Sequence, residues 1–195
     1  MPNVSGVKSK QAVFGTDTDA ISASGTATTL VLLNSGPWVN AQTVTLTSTA
    51  DNSGITFVVV GKDANGDAAT SAATTGPNAD TVEVAGTWTE VTSITASGAI
   101  TTDISAGITS GATTGIIFAG RTRVRSMTGV AGAGAGVIFI KNGSATSGQN
   151  RLILDVDNGS TIDPYIADNG ILCEDGAYFA YDGTAVVGLS IQFDG

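Results

Sequence analysis

The chain has 195 residues, a net charge of −9 and no histidine, with 42% hydrophobic and only 13% charged residues. The lack of histidine excludes Ser-His-Asp and Cys-His catalytic pairs, and zinc or haem sites with histidine ligands. The acidic charge argues against nucleic-acid binding, which needs clustered positive charge. The single cysteine, Cys173, cannot form an intrachain disulfide. No apolar run approaches the roughly 20 residues of a membrane span, and the first residues lack the apolar core of a signal peptide.

Residues 1–25 are polar and rich in glycine and serine. Their one short candidate strand is Gln11–Phe14. We expect an extended N-terminal arm or linker, either disordered or ordered against a neighbouring subunit.

From Thr26 onward, short segments rich in Thr, Val and Ile alternate with turn residues, which is typical of β-strands. In Gln42–Ser48, Val44 and Leu46 face one way and the threonines the other. Asn65-Gly66 predicts a hairpin with a type I′ turn. Residues 26–112 are therefore predicted to form an immunoglobulin-like β-sandwich, a likeness of architecture only because the antibody cysteine pair is missing. The candidate strands are Thr28–Leu33, Gln42–Ser48, Ile55–Val60, Thr81–Val84, Thr89–Ala96 and Ile100–Ile108.

After a boundary at Ser110–Gly115, residues 113–195 contain seven further candidate strands with short, glycine-rich connections. We expect a second, small jelly-roll-like sandwich here. No window has sustained helical periodicity, so the predicted fold class is all-β: two antiparallel sandwiches preceded by the arm. The candidate strands are Gly115–Gly120, Arg121–Met127, Val137–Lys141, Arg151–Val156, Gly170–Cys173, Ala177–Tyr181 and Val186–Phe193.

Two motifs resemble ligand sites but lack residues that such sites require. The glycine-rich run Gly129–Gly136 is followed by a strand instead of a helix and lacks the Gly-Lys-Ser/Thr of a phosphate loop. The segment Asp63–Asp67 begins like a calcium loop, but Ala68 and Thr74 occupy the positions that require glycine and an acid. We therefore expect a loop and a hairpin tip, and no cofactor or metal.

Carboxylate pairs and aromatic residues leave two further alternatives. Glu174-Asp175 and Asp155 with Asp157 lie in turns, which attract aspartate for backbone hydrogen bonding, so we expect no glycosidase and no other enzyme. Aromatic residues could line either a sugar-binding face or the cores, and we expect both tryptophans in the cores. They are Trp38, Trp88, Tyr165, Tyr178, Phe179 and Tyr181.

Three arginines form the only local basic cluster in the sequence. Arg121, Arg123 and Arg125 occupy alternate positions of one candidate strand, so they should share a face at a spacing of roughly 7 Å. Such a row is either paired with acids on a neighbouring strand or available for docking an acidic protein partner. We take it as the candidate partner-docking site.

The segments V-T-L-T-S-T-A-D-N-S-G-I-T-F-V-V-V-G-K-D-A-N-G-D-A-A-T, T-G-P-N-A-D-T-V and V-T-S-I-T-A-S resemble the β-sandwich module of tailed-bacteriophage virion proteins. The segments V-I-F-I-K-N-G, R-L-I-L-D-V and G-I-L-C-E-D-G-A-Y-F-A-Y are similar to a small sandwich of phage head and tail proteins. Together the likeness covers residues 40–110 and 115–195. It implies a non-enzymatic part of a virus particle.

Within that resemblance, the acidic charge favours an exterior location, away from packaged DNA. We expect a capsid decoration protein of the cement, knob or head-fibre type, which binds the outer shell as a homo-oligomer. Its expected partners are the major capsid protein or other virion proteins, with no nucleic acid and no membrane. The expected location is the virion, on the outer capsid surface rather than the tail, after assembly in the host cytoplasm. The alternative is a tail or adhesin component that binds host surface glycans.

Overall fold

The structure is a computed structural model that describes residues 6–13, 16–100, 102–110, 113–167, 169–183 and 186–195. All regular elements in these ranges are β-strands, and none of the described residues form a helix that could cross a membrane. The strands are β1 (Val7–Val13), β2 (Thr16–Gly25), β3 (Gln42–Ser48), β4 (Thr56–Asp63), β5 (Ala68–Thr70), β6 (Thr74–Thr75), β7 (Thr81–Glu83), β8 (Trp88–Ala96), β9 (Ile104–Ser110), β10 (Thr114–Phe118), β11 (Thr122–Ala131), β12 (Gly136–Asn142), β13 (Gln149–Val156), β14 (Thr161–Ile162), β15 (Ile171–Cys173), β16 (Ala177–Gly183) and β17 (Val186–Asp194).

The chain divides into two compact units. One comprises Met1–Phe14, Trp38–Asn40 and Ala112–Gly195, and the other comprises Gly15–Pro37 and Ala41–Gly111. In sequence, the second unit is therefore inserted between β1 and β10 of the first, and we call it the inserted unit.

The first unit is built from two antiparallel sheets, which we call the first and the second sheet. The first has the order β1-β17-β11-β14 and the second has the order β10-β16-β12-β13. β14 and β15 pair with different parts of β11, so together they occupy one strand position. Counted along the unit, the eight positions follow the orders 1-8-3-6 and 2-7-4-5, which is the arrangement of a jelly roll. The expected jelly-roll-like sandwich is confirmed, and we call this unit the jelly-roll unit.

The core of the jelly-roll unit lies between its two sheets. Alternate residues of the long strands point inward, as the period of two requires. Phe179 and Met127 are among the largest side chains that are fully buried there. The inward residues include Ile117, Val124, Met127, Ile138, Ile140, Phe179, Leu189, Ile191 and Phe193.

The segment expected to be an arm forms two strands where the structure describes it, which is a correction. β1 pairs with β17 from Val7–Asp194 to Val13–Gly188, and β2 pairs with β9. The pattern concealed β1 because two of its inward positions are lysines. Lys8 and Lys10 lie opposite the buried Phe193 and Ile191, and long lysine stems can cover apolar surface while the ammonium group stays solvated.

The inserted unit contains one eight-stranded sheet with the path β2-β9-β3-β8-β4-β5. β3 and β8 are joined only by the pair Gln42–Trp88, which separates β2, β9, β3 and β7 from β8, β4, β5 and β6. Both halves bury an apolar face, for example Leu46 in one and Phe57 in the other. β9 lies between β2 and β3, whereas an immunoglobulin sheet places its last strand beside the preceding one. The immunoglobulin likeness is therefore architectural, as the sequence indicates.

Two local predictions in the inserted unit need correction. Thr28–Leu33 is not a strand, because its backbone bonds go to two different strands: Leu30 N donates to Ile94 O at 3.0 Å and Leu33 N donates to Ile21 O at 2.7 Å. The hairpin at Asn65-Gly66 is present, but only its glycine has a positive φ, at 86°. A type I′ turn would need positive φ at both residues.

A short segment, Trp38–Asn40, belongs to the jelly-roll unit and is hydrogen-bonded to the last residues of β1. Val39 N donates to Gln11 O at 2.6 Å. The fully buried Asn40 accepts a bond from Val13 N at 3.1 Å and donates one to Val13 O at 2.7 Å. On the other side, a side chain at Gly115 would lie 1.8 Å from Val39 O, so only glycine fits there. Asn40 therefore satisfies the backbone where the regular pairing of β1 ends.

Replacing Asn40 with alanine removes two hydrogen bonds to the Val13 backbone. Because these groups are buried or partly buried, we expect Asn40→Ala to lower the free energy of unfolding by about 1–3 kcal/mol. Urea denaturation followed by fluorescence measures this change. Asn158→Ala, at an exposed turn position, is the control and should change stability by less than about 0.5 kcal/mol. Equal effects of the two substitutions would contradict the role assigned to Asn40.

Candidate partner-docking site

The three arginines of the candidate docking site lie at and just before the start of β11. Arg121 is exposed and precedes the strand. Arg123 pairs with Leu172 of β15. Arg125 falls in a register shift between β11 and β17. The structure thus brings all three to one end of the first sheet, but in three different environments.

Arg125 forms an ion pair with Asp194 on the neighbouring strand β17. Its Nε lies 2.9 and 3.0 Å from the two carboxylate oxygens, and its Nη2 lies 2.6 Å from Oδ2. Two nitrogens on two oxygens make this the strong, bidentate form of an arginine–carboxylate contact. Hydrogen bonding to Arg125 lowers the pKa of Asp194, and hydrogen bonding to Asp194 raises the pKa of Arg125. Arg125 is therefore paired with an acid on a neighbouring strand, which is one of the two alternatives that the sequence left open for this row of arginines.

Arg123 is held by a backbone carbonyl. Its Nη1 donates to Asn169 O at 2.7 Å. The next residue, Gly170, has a φ of 65°, and a side chain there would lie 2.7 Å from Val124 O and 3.2 Å from Arg125 Cδ. A glycine at this position lets the loop approach close enough to orient Arg123. In the described part of the chain no carboxylate lies within ion-pair distance of Arg123, although its charge contributes to lowering the pKa of Asp194.

A cavity of about 210 Å³ opens beside these residues. Its lining combines the cations with one hydroxyl, one carboxylate and one apolar side chain: Arg121, Thr122, Arg123, Leu172 and Asp194. Thr122 Oγ1 donates to the backbone oxygen of Asp194. Neither Arg121 nor Arg123 is ion-paired among the described residues, and a guanidinium group can bind a carboxylate through two donors. Docking at Arg121, Arg123 and Arg125 stays a prediction, with Arg121 and Arg123 as its available charges.

The glycine-rich run and the segment that begins like a calcium loop both have structural roles. Gly129 lies in β11 and Gly136 lies in β12, where a side chain would come within 2.6 Å of the Tyr181 hydroxyl. Asp63 Oδ1 accepts bonds from Asn65 N at 2.8 Å and Asp67 N at 3.0 Å, so it stabilises its own hairpin. No three His, Cys, Asp or Glu side chains of the described residues are grouped as metal ligands would be.

The aromatic residues do not form one face. Trp38 and Trp88 are buried, as expected, and so are Phe179 and Tyr181. Tyr178 is half-buried, whereas Tyr165 is 91% exposed.

Two surface features escaped the sequence analysis. A cavity of about 420 Å³ in the inserted unit is lined by residues 22–27 with Leu30, Val31 and Leu33. The outward-facing side of the second sheet is apolar around Phe139. The available signal for the latter was the uninterrupted apolar run Val137–Ile140, since strands covered on both faces lose the alternation of polar and apolar residues.

The ion pair with Arg125 makes a pH-dependent contribution to stability. Because the pKa of Asp194 is lowered in the folded state, the contribution is complete above the ordinary value of 3.8 and is lost as the pH falls below it. We expect Asp194→Asn to lower the urea midpoint at pH 7, and the difference from wild type to shrink as the pH drops below 3.8. Asp67→Asn, on the exposed hairpin tip, serves as the control. A difference that is independent of pH would contradict the assignment.

Comparisons with known proteins find only distant structural similarity. No family model matches the chain, and no curated protein matches it. A chain of the Cowpea Mosaic Virus empty virus-like particle has 12% identity and a TM-score of 0.28, over 84% of this chain and 82% of that chain. A chain of Broad Bean Stain Virus has 11% identity and a TM-score of 0.24, over 84% of this chain and 88% of that chain. These values are too low to carry an argument, so the assignment of the fold rests on the strand order.

Proposed function

We propose that this protein is a non-enzymatic structural component of a virus particle. The observation that carries the proposal is the jelly-roll strand order of β1 and β10–β17, an architecture that recurs in viral capsid domains. This is an analogy at the level of fold. The sequence resemblance to phage virion modules supports the same role independently of the strand order.

More specifically, the protein is a decoration protein on the outer capsid of a tailed bacteriophage, where it acts as a homo-oligomer. The net charge of −9 favours the exterior over the DNA-filled interior. Its partner is the major capsid protein or another virion protein, contacted through Arg121 and Arg123. An acidic side chain or chain terminus of that partner fits between the two guanidinium groups. Assembly takes place in the host cytoplasm.

Docking by an extended N-terminal arm is not part of this proposal. Residues 7–13 form β1, an edge strand of the first sheet. These residues are paired with β17 and are therefore not free to dock as an extended arm.

Electron microscopy of particles carrying this protein tests the location. We expect its density on the outer capsid surface in symmetry-related copies. Density confined to the tail would contradict the decoration role, and absence of the protein from purified particles would contradict the virion role.

Binding of the purified protein to particles that lack it tests the docking residues. Because a reversed charge faces the acidic partner, we expect the double substitution Arg121→Glu with Arg123→Glu to weaken binding by at least about tenfold. Lys62→Glu changes an exposed lysine of the inserted unit and should leave binding unchanged. Equal binding by the wild type and the double variant would remove these arginines from the contact.

One observation favours a second candidate, a tail or adhesin component that binds host glycans. Tyr165 is 91% exposed, and exposed aromatic rings can stack on sugars. Jelly rolls also occur in lectins. Glycan-array binding that disappears in Tyr165→Ala would favour this alternative, and a blank array together with density on the capsid would exclude it.

A further inference from the structure

The outward-facing side of the second sheet is an apolar surface that crosses all four strands. We call it the Phe139 face. Ile153 on it is 57% exposed and Ile116 is 39% exposed. It consists of Ile116, Val137, Phe139, Ile153, Tyr178 and Ala180.

The strand register makes this face continuous. Phe139 lies directly opposite Ile153 on one side and Ala180 on the other. Tyr178 lies opposite Ile116. Residues opposite one another in an antiparallel pair have their side chains on the same side of the sheet, at contact distance. The six side chains therefore form one patch.

The first sheet presents a different outward-facing side. There, Ser9 and Ser190 are hydrogen-bonded at 3.1 Å, and Ser126 donates to Gln192 at 3.0 Å. Such polar pairs are typical of a sheet that faces water. The apolar exceptions are Val7, at 61% exposure, and Val130, at 59% exposure, which lie on different strands. Only the second sheet thus has the character of a surface that is covered in the assembled protein.

Charges of opposite sign mark the two ends of the Phe139 face. Lys141 lies at one end, with its Nζ 5.3 Å from the centre of the Phe139 ring. Asp155 and Asp182 lie at the other end, both opposite Val137. Asp175, near Lys141, is bonded to Asn142 at 2.8 Å in the adjacent turn. Four residues of extended strand, about 13 Å, separate Lys141 from the acidic end.

From this arrangement we propose that the Phe139 face binds the same face of a second copy of the chain around a two-fold axis. A two-fold axis that lies parallel to the sheet and perpendicular to its strands places Lys141 of each copy over Asp155 and Asp182 of the other, while the apolar centres pack together. Such an isologous contact needs a surface that is complementary to itself, and a patch with one cationic and one anionic end meets that condition. The proposal rests on the self-association that forms part of the proposed function, and it assigns that association to a surface.

Native mass spectrometry and light scattering of the full-length protein at micromolar concentration test the proposal. We expect a dimer for the wild type. Ile153→Lys places a charge in the apolar centre and should weaken association by at least about tenfold. Val130→Lys, at a comparably exposed position on the first sheet, should remain dimeric. Circular dichroism verifies that each variant is folded.

Charge reversal gives a test that loss of folding cannot imitate. The double substitution Asp155→Lys with Asp182→Lys makes both ends basic, and Lys141→Glu makes both ends acidic. Each variant alone should be monomeric because two-fold packing then opposes like charges. Mixing the two variants should restore a dimer containing one chain of each, since every basic end then meets an acidic one.

The outcomes are separate from those for the virion role. A monomeric wild type, a dimeric Ile153→Lys, or a mixture of the charge variants that stays monomeric overturns the assignment of the Phe139 face. A wild-type oligomer that persists in Ile153→Lys leaves self-association standing and places it on another surface. Failure to find the protein in virus particles would overturn the proposed function without affecting this result.

Discussion

The pairing of β1 with β17 is the constraint on which the jelly-roll unit depends. These strands come from opposite ends of the described chain, and their register runs from Val7–Asp194 to Val13–Gly188. Without β1 the first sheet would end at β17, and the inward side of β17, with Phe193, Ile191 and Leu189, would lose its cover along one edge. The Arg125–Asp194 ion pair lies on the other side of the same strand, so β17 supports both the core and the candidate docking site.

The two sheets of the jelly-roll unit bury similar inward-facing sides but differ in what they present outward. On the first sheet, polar side chains form hydrogen bonds across strands, namely those of serine, glutamine, aspartate and arginine residues. These bonds satisfy the polar groups within the sheet, without a second protein. On the second sheet, the outward-facing side chains are apolar, so their burial against another surface would be favourable in free energy. A polar side with a cationic cavity and an apolar side with charged ends give one unit two chemically distinct surfaces for contact.

Regular alternation made much of the fold predictable. Gln42–Ser48 has the same bounds in the sequence prediction and in the structure, because the apolar Val44 and Leu46 alternate with threonines, although Thr45 is itself buried. β1 was missed because two of its inward positions are lysines. β2 was missed because its polar residues outnumber its apolar ones. The partner of Arg125 could not be predicted, since 69 residues separate it from Asp194 and only the sheet order joins them. The Phe139 face was readable in principle from Val137–Ile140, but an uninterrupted apolar run does not say what covers it.

β1 is synthesised long before its partner strand β17, and this delay has a consequence for biosynthesis. Ribosomes make the chain from the N-terminus, so β1 emerges before the entire inserted unit and β17 emerges after it. Throughout that interval the backbone of β1 has no partner strand and is an open template for aggregation. Lys8 and Lys10 give this strand positive charge at alternate positions, and such gatekeeper residues oppose strand stacking between nascent chains. The same lysines that conceal β1 from pattern recognition thus protect it from aggregation until β17 has been made.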